Sequence, residues 1–173
     1  MPPSILQEIP VKKLLTLVLS LCLTCIFVAG AMADSDIITA SDQEKILEIA
    51  KGFGSAELSS TSKGTPLIQG RMDGIKYAIW FSGCTDGKSC SALQFIGMWK
   101  TEDFPMAEVN KWNAQKVYTR TYLDKDQDLT MEMDVFMRYG MTQKNLEEIF
   151  DLWKTSLRHL SEVIAAQSKK NPS

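Results

Sequence analysis

The stretch that decides the fold is Leu129-Thr130-Met131-Glu132-Met133-Asp134-Val135-Phe136-Met137-Arg138. Leu129, Met131, Met133, Val135 and Met137 alternate with residues that, Phe136 apart, are polar. A period of two sends successive side chains to opposite sides of an extended chain, so this segment is predicted to be a strand with one face in a core. The methionines at this spacing read as core filler, a use that suits their unbranched, polarizable side chains. Just upstream, Asp124-Lys125-Asp126-Gln127-Asp128 is an acidic turn, and Tyr118 to Asp124 is a second strand-like run, so the two runs form a hairpin.

The same periodicity recurs further out. Pro66 to Met72 and Lys76 to Gly83 flank Asp73-Gly74, a dipeptide that tolerates the positive φ a tight hairpin turn needs at both positions. Ser91 to Lys100 is a further strand, and Ala56 to Thr61 is short and polar enough for a sheet edge. Alternation in these central strands is impure. Tyr77, Ile79 and Phe81 oppose Ala78 and Trp80, and Leu93, Phe95 and Trp99 oppose Ile96 and Met98. Apolar residues on both sides call for cover on both. One side takes a core helix; the other needs a second helix, a dimer partner or a ligand.

Three helices complete the pattern. Ser41-Asp42-Gln43-Glu44 reads as a capping box that opens a helix from about Asp42 to Gly52, with Ile46, Leu47, Ile49, Ala50 and Phe53 as its apolar stripe. Pro105 suits the first turn of a second helix carrying Met106, Val109 and Trp112 on one side and reaching towards Gln115 to Val117. Thr142 caps a third, with Met141 as a staple to Leu146 and a stripe of Leu146, Ile149, Phe150, Trp153, Leu157, Leu160 and Ile164, fraying after about Ala166. The expected fold class is α+β: an antiparallel meander sheet with helices, in the order α-β-β-β-β-α-β-β-α.

The N-terminal segment reads as an address. Lys12 and Lys13 precede an apolar run from Leu14 to Val28, then Gly30 and Ala31-Met32-Ala33. This is the pattern of a secretory signal peptide over residues 1–33, cleaved between Ala33 and Asp34. An uncleaved anchor is the lesser reading, because the apolar run falls short of the roughly 20 residues a spanning helix needs. Cleavage of 33 of the 173 residues leaves 140 (34–173) as a single domain with an ordered core of about 41–165. The expected location is periplasmic or secreted, with no membrane attachment after cleavage. Cys84 and Cys90 are the cysteines that stay with this domain, and an even pair in an oxidising compartment is predicted to form a disulfide across a short hairpin. The full chain is 45% hydrophobic and 23% charged with net charge −2, which is ordinary for a globular domain and lacks the basic excess that nucleic acid binding requires.

Candidate chemistry is sparse. Asp124 to Asp128 begins like a calcium loop but has Leu129 and Val135 where such a loop wants a glycine and a bidentate glutamate, so a solvated acidic turn is expected. Glu132 and Asp134 share a strand face; paired carboxylates can hydrolyse glycosides, and they can equally be ion-paired with Arg120 or Arg71. His159, the chain's one histidine, falls beside an apolar helical stripe, and no Gly-x-Ser-x-Gly elbow or phosphate-binding glycine loop accompanies it. Neither cofactor nor metal is expected.

Several phrases carry a family resemblance over about Ser41 to Leu160. They are Ser41-Asp42 leading the first helix, Gly52-Phe53-Gly54-Ser55-Ala56-Glu57, Ile68 to Gly74, Gly83 to Cys90, Asn110-Lys111-Trp112-Asn113, Tyr122-Leu123-Asp124 and Met131 to Val135. In these the chain resembles the YbjN-domain family of bacterial proteins, in an exported form. The resemblance implies a sensory-transduction regulator with a fold like that of class I type III secretion chaperones, often dimeric, and no catalytic residues. Asn110, Trp112 and Asn113 are then structural: a core anchor and two amides that satisfy backbone at the helix end. The function expected is a non-enzymatic regulatory module that holds a protein or peptide partner, with a possible homodimer. The alternative is a small hydrolase or glycan-active enzyme using Glu132 and Asp134.

Overall fold

The computed structural model describes residues 37–170. The expected signal segment and its Ala33–Asp34 junction lie outside the described residues. Among the described residues the chain forms β1 (Ile37–Ile38), α1 (Gln43–Phe53), β2 (Ser55–Ser60), β3 (Pro66–Met72), β4 (Ile75–Ser82), β5 (Ala92–Trp99), α2 (Met106–Gln115), β6 (Arg120–Leu123), β7 (Leu129–Phe136), β8 (Met141–Thr142) and α3 (Gln143–Lys170). The α+β order expected from the sequence is present, with two additions. β1 and β8 pair as a separate two-stranded ribbon that secures the start of the domain beside the start of α3. Ile38 and Ala40 are fully buried there, so the ordered unit begins before residue 41.

The main sheet is antiparallel throughout, in the order β2-β3-β4-β5-β7-β6. Its first four strands form a meander. α2 then carries the chain to the outer position of β6, and β7 returns between β6 and β5. Asp73 and Gly74, at φ 49° and 81°, make the tight β3–β4 turn. Asp86 and Gly87, at φ 52° and 69°, repeat the device at the tip of the β4–β5 connection, with the Lys88 N–H donating to the Thr85 carbonyl. Cys84 and Cys90 are disulfide-bonded at the base of this small loop.

One face of the sheet is covered by α1 and α3. Tyr77, Ile79, Phe81, Leu93, Phe95, Leu129, Met131, Met133 and Val135 point into this core and are buried. From α3, Leu146, Phe150, Trp153, Leu157 and Leu160 meet them, at alternating spacings of four and three that keep them on one side of the helix. Phe95 is the hub: its ring lies 5.1 Å edge-on from Phe150 and 5.6 Å from Trp153, while Phe53 of α1 stacks on Phe150 at 5.4 Å. Gly97 permits this close approach, since a β-carbon there would stand 3.0 Å from the Leu157 Cδ2.

Some local expectations need correction. No capping box opens α1. Asp42 occupies the cap position, but its Oδ2 turns back to accept from the Thr39 N–H at 2.7 Å and the Thr39 hydroxyl at 2.8 Å. The hydrogen bond from the Thr39 backbone holds the Asp42 carboxyl below its ordinary pKa. This closes the turn out of β1, which a helix-only reading of Ser41 to Glu44 could not foresee. In α2 only Val109 and Trp112 are buried; Met106 is 52% exposed, and the helix ends at Gln115, with Val117 beyond it 87% exposed. Thr142 does cap α3, its hydroxyl accepting from the Asn145 N–H at 3.2 Å. The helix continues to Lys170 rather than fraying after Ala166.

Candidate binding face

The strand register sorts every side chain of the sheet. Leu67 lies beside Trp80, Trp80 beside Gln94, Ala78 beside Ile96, Ile96 beside Glu132, and Glu132 beside Arg120. All of these are on the face opposite α1 and α3. No described helix covers its centre. Trp80 is 47% exposed and Met98 66% exposed, and with Leu67, Ala78 and Ile96 they form an apolar strip across β3, β4 and β5. The twist of the sheet makes the strip concave, enclosing about 680 Å³, with Glu57, Gln69, Arg71 and Lys76 on its polar margin. The two-faced alternation in β4 and β5 is thus real, and among the described residues the second face is uncovered.

A polar network occupies the β6–β7 side of the same face. Arg120 donates through Nε at 3.0 Å and Nη2 at 2.6 Å to Glu132 Oε2, and through Nη1 at 2.6 Å to Asp134 Oδ2. The Tyr122 hydroxyl donates to Glu132 Oε1 at 2.7 Å, and Gln94 Nε2 donates to Asp134 Oδ1 at 2.9 Å. Each carboxylate oxygen therefore has a donor. The hydrogen bond to the Glu132 carboxylate pushes the Tyr122 phenol up to about 12, and the Asp134 and Glu132 carboxylates raise Arg120 further above its ordinary range. Glycoside hydrolysis needs one carboxyl group to carry a proton and space between the pair for the sugar or a water. Here a guanidinium bridges the two carboxylates. Of the two arginines considered as partners, Arg71 is engaged elsewhere, donating to the Gly74 carbonyl at 2.7 Å. The contributions of Tyr122 and Gln94 escaped the sequence reading because they depend on cross-strand register; their period-two positions are the only signal that could have suggested them.

The remaining candidates are dispersed. The Asp124 Oδ1 accepts from the N–H groups of Asp126 and Asp128, both at 2.9 Å, which closes a turn with Gln127 at φ 62°. Among the described residues no group of three or more histidine, cysteine, aspartate or glutamate side chains is placed to hold a metal ion. His159 is half-buried on α3.

The Asn110-Lys111-Trp112-Asn113 phrase lies on α2, and the structure divides its residues. Trp112 is buried, its indole N–H donating to the Thr119 hydroxyl at 3.1 Å. The Asn113 amide behaves as an added strand residue: its Nδ2 donates to the Thr121 carbonyl at 2.9 Å and its Oδ1 accepts from the Thr121 N–H at 2.8 Å. It therefore closes the outer edge of β6. Asn110, expected to satisfy backbone, is exposed instead. It stands two residues from Trp112, about 200° around the helix, and so faces away from the core.

These features define an α+β domain with a helix-covered sheet face, an open apolar face and one sealed edge. The chain belongs to the YbjN family, described as "Putative bacterial sensory transduction regulator", whose profile matches residues 42–165. That description is of a regulator and names no enzymatic activity. No curated protein matches the chain.

Proposed function

We propose that this domain is a non-enzymatic, exported regulatory module that holds a protein or peptide partner against its open sheet face. One observation carries the reading: among the described residues the Trp80–Met98 strip, with Leu67, Ala78 and Ile96, is contiguous, apolar and uncovered, in a sheet whose other face is packed like an ordinary core. Aromatic and methionine side chains are favoured anchors at protein interfaces, and a polar rim of the kind supplied by Glu57, Gln69, Arg71 and Lys76 commonly surrounds them. The bridged Glu132–Arg120–Asp134 group serves as a rigid polar border of this surface. Export rests on the signal pattern ahead of Asp34.

A photo-crosslinking residue placed at Met98 tests the binding role in living cells. Adducts should form at that position, and should be lost when Trp80→Asp is added. An unchanged adduct pattern in the Trp80→Asp background, or no adduct at all, overturns the reading. Osmotic-shock fractionation with sequencing of the mature N-terminus tests export. The protein should leave with the periplasmic fraction and begin at Asp34.

A further inference from the structure

The two edges of the main sheet are treated differently. On β6 the outward N–H and C=O of Thr121 are both taken by the Asn113 amide. β2 has no strand partner on its outer side among the described residues, and it lacks the usual guards of an exposed edge. Ser55-Ala56-Glu57-Leu58-Ser59-Ser60 contains no proline and no lysine, and pairs with β3 residue for residue from Ser55–Arg71 to Ser60–Pro66 without a bulge.

The orientation of its backbone follows from the adjoining turn. Thr61 donates its N–H to the Thr65 carbonyl at 2.8 Å, so Thr61 faces β3. Alternation then turns Ser59, Glu57 and Ser55 towards β3, and turns the N–H and C=O groups of Ser60, Leu58 and Ala56 outward.

We infer that this edge is the site where a second copy of the chain pairs, antiparallel, about a two-fold axis at Leu58. The segment is self-complementary in that register. Ala56 meets Ser60 of the second copy, Leu58 meets Leu58, and each of these pairs exchanges two N–H···O bonds. Glu57, the one charged residue of β2, falls opposite Ser59 rather than opposite its own counterpart, so no like charges face each other. Leu58, partly exposed at the edge of the core in one chain, gains an apolar neighbour. The axis is normal to the sheet, so the two open apolar faces lie on the same side and become one surface with two Trp80 anchors. The pairing uses backbone at the edge and not the Trp80–Met98 strip, so it stands or falls separately from the partner-binding role.

Sedimentation velocity over a wide concentration range tests it, with the disulfide-intact protein. The unaltered chain should sediment as two copies. Ser60→Pro and Leu58→Pro, which remove outward N–H groups not used in pairing with β3, should return it to one. Trp80→Ser combined with Met98→Ser should leave the dimer intact. A chain that stays single at the highest concentration, a dimer that survives Ser60→Pro, or a dimer lost with Trp80→Ser and Met98→Ser overturns the inference. Amide exchange of the unaltered protein decides the matter where a proline variant fails to fold. The Ala56 and Leu58 amides should slow as concentration rises, while those of Glu57 and Ser59 are slow throughout. Unchanged exchange at Ala56 and Leu58 overturns it.

Discussion

Replacing Asn113 by alanine should destabilise the domain by about 2–4 kcal/mol, although the side chain belongs to neither the core nor the open face. It makes two hydrogen bonds to Thr121, at 2.9 Å and 2.8 Å. Each contributes roughly 1 kcal/mol net, and the loss grows by roughly 1–3 kcal/mol for any buried group left without a partner. Thr121 is buried, so its backbone is poorly placed to recruit water in compensation. For a domain of this size the loss corresponds to a fall in Tm of roughly 6–14 °C. Urea unfolding followed by tryptophan fluorescence measures it, and amide exchange at Thr121 should accelerate in parallel. Asn113→Asp sharpens the test. A carboxylate can still accept from the Thr121 N–H but sets a second negative oxygen against the Thr121 carbonyl. At neutral pH it should be at least as unstable as the alanine variant. On acidification the protonated carboxyl can donate to that carbonyl, so its stability should rise relative to Asn113→Ala as pH falls through the carboxylate range. A loss below about 0.5 kcal/mol for Asn113→Ala, within the range of ordinary surface substitutions, would refute the edge-sealing role.

Four further outcomes follow from the same geometry. Glu132→Gln should cost about 1–2 kcal/mol, since it weakens charge-assisted bonds from Arg120 and Tyr122, and chemical denaturation should show a smaller loss at high salt than at low. Tyr77 is buried with its hydroxyl unpartnered, and burial pushes its phenol up to about 12 from 10.0. The folded state therefore holds the proton more tightly, so stability is full below pH 10 and lost as pH rises towards about 12; thermal scans should show Tyr77→Phe flattening that decline without loss at pH 7. Gly97→Ala, which sets a β-carbon 2.8 Å from the Trp99 ring and 3.0 Å from Leu157, should cost about 1–3 kcal/mol by calorimetry. Replacing both Cys84 and Cys90 by serine should cost about 2 kcal/mol by the same method, the loop-closure value for so short a ring.

The sequence was most legible where one kind of residue was forced to repeat. Leu129 to Met137 alternates because one side meets α3 and the other does not, and that strand stands where the pattern puts it. Asp73-Gly74 is legible for a local reason: few dipeptides accept two positive φ angles in succession. The start of α1 is not legible locally, because the Asp42 carboxylate serves the turn behind it, and the existence of β1 depends on a partner, β8, about 100 residues away. Glu132 and Asp134 could be named as a pair from spacing alone. That Arg120 bridges them and Tyr122 completes the set follows only from the placement of β6 against β7, which no local pattern encodes.

The face left open among the described residues is the one on which the proposed function rests. Trp80, Ile96 and Met98 point to the face opposite the α1–α3 core and are not members of it. Apolar area left in water contributes nothing to folding, yet each side chain buried later against a partner contributes roughly 1.5–3 kcal/mol. The Glu132–Arg120–Asp134 bridge fits the same reasoning. It fixes charge on the border of the strip in an arrangement with its donors already satisfied, so a partner arriving on the apolar centre need not strip an unpaired charge of water. A sheet built this way keeps its charged groups occupied and its apolar groups exposed, which is what the proposed contact role requires.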